Sequence, residues 1–368
     1  MIIYFLIFSI LSFLAYKEIH NPKPLDVKSY IFLILLFSVF IGLKKEIGCD
    51  WGAYKDIFNL SNCATNTGDI DLCNKFKISS TYEYLNFKEI GFSSINLIIN
   101  KLGGNLYFSN YFFSLLFIIP ILNFCSSFKR PFLAILVSFP YLITVIGIGT
   151  IRQSIAIAFL MVGFNALNKN RFYKYYLLNL FAILFHYSSS IFIFLPFLFL
   201  KKRSINLKYI NKFLFFLFLI LVFAFLIFKN NYIFHQLNGY LNYREAISLK
   251  SPLIVWSMIS FPAIFILINY EDYKKDDKNK FWKNYSIIGV LMIFSIFFNP
   301  IISLRLMLYF LPIKIYALSN LPRIRKFRDF PKYAYFIIII ISLSILTIWL
   351  NFANHSYCYL PYKNLLLN

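Results

Sequence analysis

The feature that most constrains this chain is its succession of long apolar runs. They lie at 2–16, 29–43, 107–125, 131–149, 151–168, 174–186, 188–200, 212–229, 253–270, 284–298, 301–319 and 333–350, with short basic clusters between many of them. Of the 368 residues, 60% are hydrophobic and only 14% are charged, where soluble domains carry about 25% charged residues. Such a chain buries its apolar surface in lipid. Continuous runs demand helices, because a membrane barrel would read as short alternating strands. The expected fold is all-α: a polytopic integral membrane protein of about 12 transmembrane helices, several shorter than a full crossing or broken. Residues 1–368 read as a single transmembrane domain, with no stretch long and polar enough to build a soluble core. The first run, Ile2 to Tyr16, lacks a basic leader and a small-residue cleavage site, so it reads as a retained helix.

A net charge of +22 raises the question of nucleic acid. The distribution answers against it. Lys and Arg sit between apolar runs, in loops 17–28, 126–130, 169–174, 201–212, 271–283 and 320–332, which together hold well over half of the 37. There is no continuous basic face and no nucleic-acid-binding motif. Basic loops that alternate along the chain are the mark of cytoplasmic loops, and they also meet anionic membrane lipid. This orientation puts both termini outside and makes 44–106 and 230–252 extracytoplasmic loops. Run 174–200 tests the rule. One helix there would put two basic loops on opposite sides, so the chain is expected to break at His186-Tyr187-Ser188-Ser189-Ser190 into a hairpin with His186 at its outer tip.

Three ionisable residues then converge at that outer end. Arg152 follows the turn Gly147-Ile148-Gly149-Thr150, His186 sits at the hairpin tip, and Arg305 follows the turn Asn299-Pro300. An Arg near a helix end can simply snorkel, and a lone His can bond a carbonyl. Three together at membrane depth point to a site, because each is costly there.

Loop 44–106 is too long for a plain connection. It carries Gly48-Cys49-Asp50-Trp51-Gly52-Ala53-Tyr54 and Glu89-Ile90-Gly91-Phe92. Its aromatics and carboxylates suit sugars: rings stack on pyranose C–H faces, and carboxylates accept hydroxyl hydrogen bonds. A packed extracellular cap would have a similar composition. Loop 230–252 adds His235, Tyr240, Tyr243, Arg244 and Glu245. Cys49, Cys63, Cys73 and Cys358 all fall outside, where disulfides persist. Cys63 and Cys73 bracket a turn-rich segment and are expected to pair; sequence leaves the pairing of the four open. No metal-ligand spacing, Walker A loop, GxSxG elbow or GxGxxG turn is present.

These residues resemble the EpsG-like branch of the Wzy-type polysaccharide polymerases, the family that makes O-antigen, capsule and exopolysaccharide. Four elements in order carry the likeness: Gly48 to Tyr54; Glu89-Ile90-Gly91-Phe92; Ile151-Arg152-Gln153 followed by Phe185-His186-Tyr187-Ser188; and Arg305 ahead of Tyr309-Phe310. The resemblance implies a GT-C-like lipid-linked-sugar glycosyltransferase architecture in the bacterial cytoplasmic membrane, with the active site facing the exterior. It implies an inverting, metal-independent transferase without cofactor. Such an enzyme moves a growing glycan from undecaprenyl diphosphate to a sugar hydroxyl of the next lipid-linked repeat unit. Its partners would be those lipid-linked glycans, membrane lipid, and the chain-length regulator and flippase of the same pathway. Arg152 and Arg305 are the candidate diphosphate ligands, since guanidinium grips two phosphate oxygens and stays charged. His186 is the first candidate base, with Asp50 and Glu89 as alternatives. Trp51, Tyr54, Gln153, Arg244 and Tyr309 are the candidate sugar contacts.

Two other classes use membrane-embedded cations or histidine. A flippase for the same lipid-linked sugars needs polar groups along a path through the bilayer and usually two related halves; here the charges gather at one end, Lys314 excepted, and no repeat is visible. A membrane O-acyltransferase acting on polysaccharide needs its histidine toward the cytoplasm.

Overall fold

A computed structural model describes residues 1–19, 21–64, 68–78, 80–199, 249–275, 277 and 280–366. Run 212–229, loop 201–212, most of loop 230–252 and the candidate Arg244 lie outside the described residues. The architecture is helical throughout; its only β pairing among the described residues is one isolated bridge between Lys44 and Asn364.

The helices begin where the sequence supplies caps and prolines. Helices α1 (Ile2–Lys17) and α2 (Val27–Gly42) come first, the latter capped by Asp26 on the Ser29 amide. Four helices then fold the long loop: α3 (Trp51–Cys63), α4 (Ile70–Phe76), α5 (Thr81–Phe87) and α6 (Ile90–Lys101). The expected pair Cys63–Cys73 is joined, and Leu60, Ile78, Tyr84 and Leu97 make a small core around it. Helix α7 (Leu106–Ser126) is capped by Asn105, and α8 (Pro131–Gly149) and α9 (Ile151–Asn168) follow. Proline at the first position of α8 is cheap, because that N–H has no intrahelical acceptor. Its middle, Phe139–Ile146, is wound as a π-helix, a geometry that concentrates at functional sites.

The next segment breaks where the serines predict. Helix α10 (Phe172–Phe185) stops at His186, whose backbone is extended, and Tyr187–Phe199 returns alongside it as a 3-10 helix. The Tyr175 hydroxyl donates to the Phe192 carbonyl across the hairpin. A single helix through the run is therefore excluded. A 3-10 helix rises about 2.0 Å per residue, so this short segment reaches further than an α-helix of equal length. After the undescribed stretch come α11 (Lys250–Ile268), α12 (Phe281–Phe298), α13 (Pro300–Arg323) and α14 (Pro331–Phe352).

Seven of these helices are long and apolar enough to cross a membrane: α7, α8, α9, α11, α12, α13 and α14. Four shorter apolar helices accompany them: α1, α2, α10 and Tyr187–Pro196. Helix α8 is the hub, with 89% of its most apolar stretch buried, against 33% for α11, α12 and α14. Rings lock the far side: Tyr285 stacks on Phe310 at 4.7 Å, and Phe192 meets Tyr309 at 5.0 Å. These contacts hold α12, α13 and the 3-10 segment together.

Candidate functional site

Three chain breaks deliver the site. Thr150 interrupts α8 and α9, His186 ends α10, and Asn299 separates α12 from α13 while accepting the amides of Ile301 and Ile302 at 3.0 Å. At the centre is Glu89, the residue that leads into α6. One carboxylate oxygen accepts from Arg152 Nη1. The other lies 2.9 Å from His186 Nδ1.

Gly91 explains why these groups meet. A Cβ there would stand 2.8 Å from the Leu184 carbonyl and 3.0 Å from Leu184 Cβ. The glycine lets α6 lie directly against the last turn of α10, which sets Glu89 opposite His186. Phe92, on the next position, stacks on Phe113 at 4.5 Å. It shares the Arg152 guanidinium with Tyr54, at 5.9 and 6.0 Å from the ring centroids, a cation–π arrangement.

Glu89 is 3% exposed. Burial alone raises its carboxyl, but the Arg152 charge and the His186 hydrogen bond outweigh that and hold it well below the usual carboxylate range. A buried carboxylate with two such partners is ionised and committed. It fixes the imidazole with Nδ1–H toward Glu89, which leaves Nε2 as the proton acceptor. That Nε2 is buried and has no hydrogen-bond partner among the described residues.

Helix α13 joins from the other side. The Gln153 amide donates to the Arg305 carbonyl at 2.7 Å, so adjacent positions of α9 hold Glu89 and the Arg305 backbone. Ser188 and Tyr309 hydroxyls are 2.9 Å apart, tying the hairpin to α13. The charges of Arg152 and Arg305 both act on His186. Gln153 and Tyr309 are buried and committed within the protein. Asp50 is exposed ahead of α3, and Trp51 packs on Tyr107 at 5.9 Å. Glu89, Arg152, His186, Arg305, Gln153, Tyr54 and Tyr309 thus form one assembly, with Asp50 and Trp51 at its edge. No group of three or more His, Cys, Asp or Glu among the described residues is placed to hold a metal ion.

Sequence reasoning gave Lys44 no role and left open the pairing that the structure shows as Cys49–Cys358. Ser188 was read as part of the break and of the resembling element, without its contact to Tyr309. The two outer cysteines left after Cys63–Cys73, Cys49 and Cys358, were the available sign of the other bond.

The model of the EpsG family matches residues 27–364, nearly the whole chain. No curated protein matches this sequence, and no solved structure does.

Proposed function

Because this chain belongs to the EpsG family, we propose that it is a polysaccharide polymerase of the Wzy type. It transfers a growing glycan from undecaprenyl diphosphate to a sugar hydroxyl of the next lipid-linked repeat unit, at the outer face of the bacterial cytoplasmic membrane. The bundle crosses that membrane about twelve times in a GT-C-like arrangement, with loop 44–106 outside. The observation that carries the reading is Glu89, held between Arg152 and His186 with the imidazole Nε2 left unpartnered.

In this reading His186 Nε2 takes the proton of the acceptor hydroxyl. The freed oxygen attacks the anomeric carbon of the donor, and the bond from that carbon to the diphosphate oxygen breaks with inversion. The electron pair leaves on the diphosphate, where Arg152 and Arg305 meet the growing negative charge, a role that preorganised cations serve well. Glu89 keeps the imidazole in the accepting tautomer and stabilises the imidazolium that forms, as a carboxylate does for a catalytic histidine in hydrolases. Loop 44–106 supplies Asp50 and Trp51 to the acceptor sugar.

The test is the state of the lipid carrier in cells carrying Arg152→Ala, Arg305→Ala or His186→Ala. Each variant should reach the membrane, leave too little polymer to detect on cells, and accumulate single repeat units that an external glycosidase can reach. Units that accumulate only in the inner leaflet would instead indicate a flippase. Orientation has its own check. A cysteine at Ala53, which is exposed on α3, should react with an impermeant maleimide in intact cells, and one at the exposed Asn170 should not. The reverse pattern would move the site to the cytoplasm and sink the reading.

A further inference from the structure

Lys44 lies just beyond α2 and is 1% exposed. Desolvating an ammonium costs several kcal/mol, so such a lysine does more than set orientation. Its amine donates to the carbonyl of Ile148. Ile148 is in the last turn of α8, where carbonyls have no intrahelical donor and a cation is favoured. Four residues later the chain reaches Arg152. Burial pushes the Lys44 amine down to about 7, with Asp50 opposing.

The same turn is wrapped from a second direction. The Tyr359 hydroxyl donates to the Val145 carbonyl at 2.9 Å, and a Cβ on Gly149 would stand 2.1 Å from that hydroxyl. Gly48 has φ +96°, an angle that favours glycine, and a Cβ there would stand 3.1 Å from the Ile148 carbonyl. The C-terminal strap that carries Tyr359 is pinned to the Lys44 segment: Gly48 N to Cys358 O at 2.9 Å, Lys45 N to Lys363 O at 3.1 Å, and Leu365 N to Leu43 O at 2.9 Å. The disulfide Cys49–Cys358 makes the link covalent. Two remote parts of the chain, the segment after α2 and the C-terminal strap, therefore converge on one short turn, and Arg152 follows that turn directly.

We propose that Lys44 is a positioning residue for Arg152, acting through the Ile148 carbonyl and held in place by the C-terminal strap. The proposal rests on the polymerase reading above. Misplacing a catalytic group by about 1 Å can cost about 100-fold in rate, so the effect belongs in kcat.

The experiment is a double-mutant cycle on purified full-length protein. The substrate is lipid-linked repeat units extracted from cells lacking this protein, and product is followed by mass spectrometry over hours. Lys44→Met should lower kcat by about 10- to 100-fold and change KM by less than about threefold. In an Arg152→Ala background it should cost nothing further, because the residue it positions is gone. Tyr359→Phe, which leaves Lys44 intact, should show a smaller loss with the same non-additivity, and it carries the cycle if Lys44→Met does not reach the membrane. Wild-type kcat in Lys44→Met beside a crippled Arg152→Ala, or losses that multiply in the double variant, would overturn the proposal alone. Wild-type turnover by Arg152→Ala would overturn the catalytic reading, and this proposal with it.

Discussion

Two carboxylates are buried at opposite ends of α8, and they are held in opposite ways. Glu18, just past α1, accepts the amides of Phe132 and Leu133 at 3.1 Å and so caps the start of α8. Glu89, near the other end, holds Arg152 and His186 with its carboxylate. Burial pushes Glu18 up to about 7 in spite of the two amides and Arg130. Glu89 is driven the other way by its cationic partners. Burial of a carboxylate is therefore uninformative by itself. Its partners separate a helix cap from a group that orients an arginine and a histidine.

The largest expected effect comes from exchanging each for its amide. Glu89→Gln should cut kcat by about 10²–10⁴-fold, because a glutamine no longer stabilises the imidazolium or selects the tautomer. Glu18→Gln should leave kcat within about twofold, as an amide oxygen still accepts at a helix N-terminus. Equal losses in both variants, measured per folded protein, would erase the contrast. Next in size is Arg152→Lys, which keeps the charge and loses the planar fork that holds Glu89 and that we propose also holds a phosphate. A fall in kcat of about tenfold or more is expected, and full activity would reduce the role of Arg152 to charge alone.

The pH dependence of unfolding in detergent sharpens the comparison further. In the folded state Glu18 keeps a proton that the unfolded chain releases, so its contribution is present at lower pH and falls as pH rises through about 7. Glu89 binds its proton more weakly when folded, so its contribution is present at neutral pH and is lost on acidification. Glu18→Gln should flatten the loss of stability between about pH 5 and 7, and Glu89→Gln should flatten the loss at lower pH, each by about 1–3 kcal/mol. Identical profiles in the two variants would contradict the assignment of their partners.

Much of this arrangement could be read from the sequence because it is local. Apolar runs give helices, prolines and Asn299 give their starts, and the serines after His186 give the break in run 174–200. The pairing of Glu89 was not legible. Its partners stand 63 and 97 residues away, and the element Glu89-Ile90-Gly91-Phe92 that singles it out does not say what it pairs with. The one local clue was Gly91, whose missing side chain permits the close approach to Leu184. Lys44 was hidden for a different reason. Beside Lys45 it looks like half of an exposed basic pair, and only the packing of α8 and the C-terminal strap buries it. Cys63–Cys73 spans ten residues and was visible; Cys49–Cys358 spans 309 and was not.

The smallest effect on activity is expected away from the site. Cys63→Ser with Cys73→Ser opens the bond in the small core of Leu60, Ile78, Tyr84 and Leu97. It should cost about 2–4 kcal/mol at most, seen as faster proteolysis of that loop, with polymer length and kcat unchanged. A loss of activity comparable to that of Glu89→Gln would extend the functional region well beyond the Glu89 assembly.

The most direct measurement is polymer formation by purified protein given lipid-linked repeat units and no nucleotide. The account predicts a ladder of products from the wild type and only single units from His186→Gln and Glu89→Gln, with all three proteins equally folded. Polymer made by His186→Gln at the wild-type rate would contradict it.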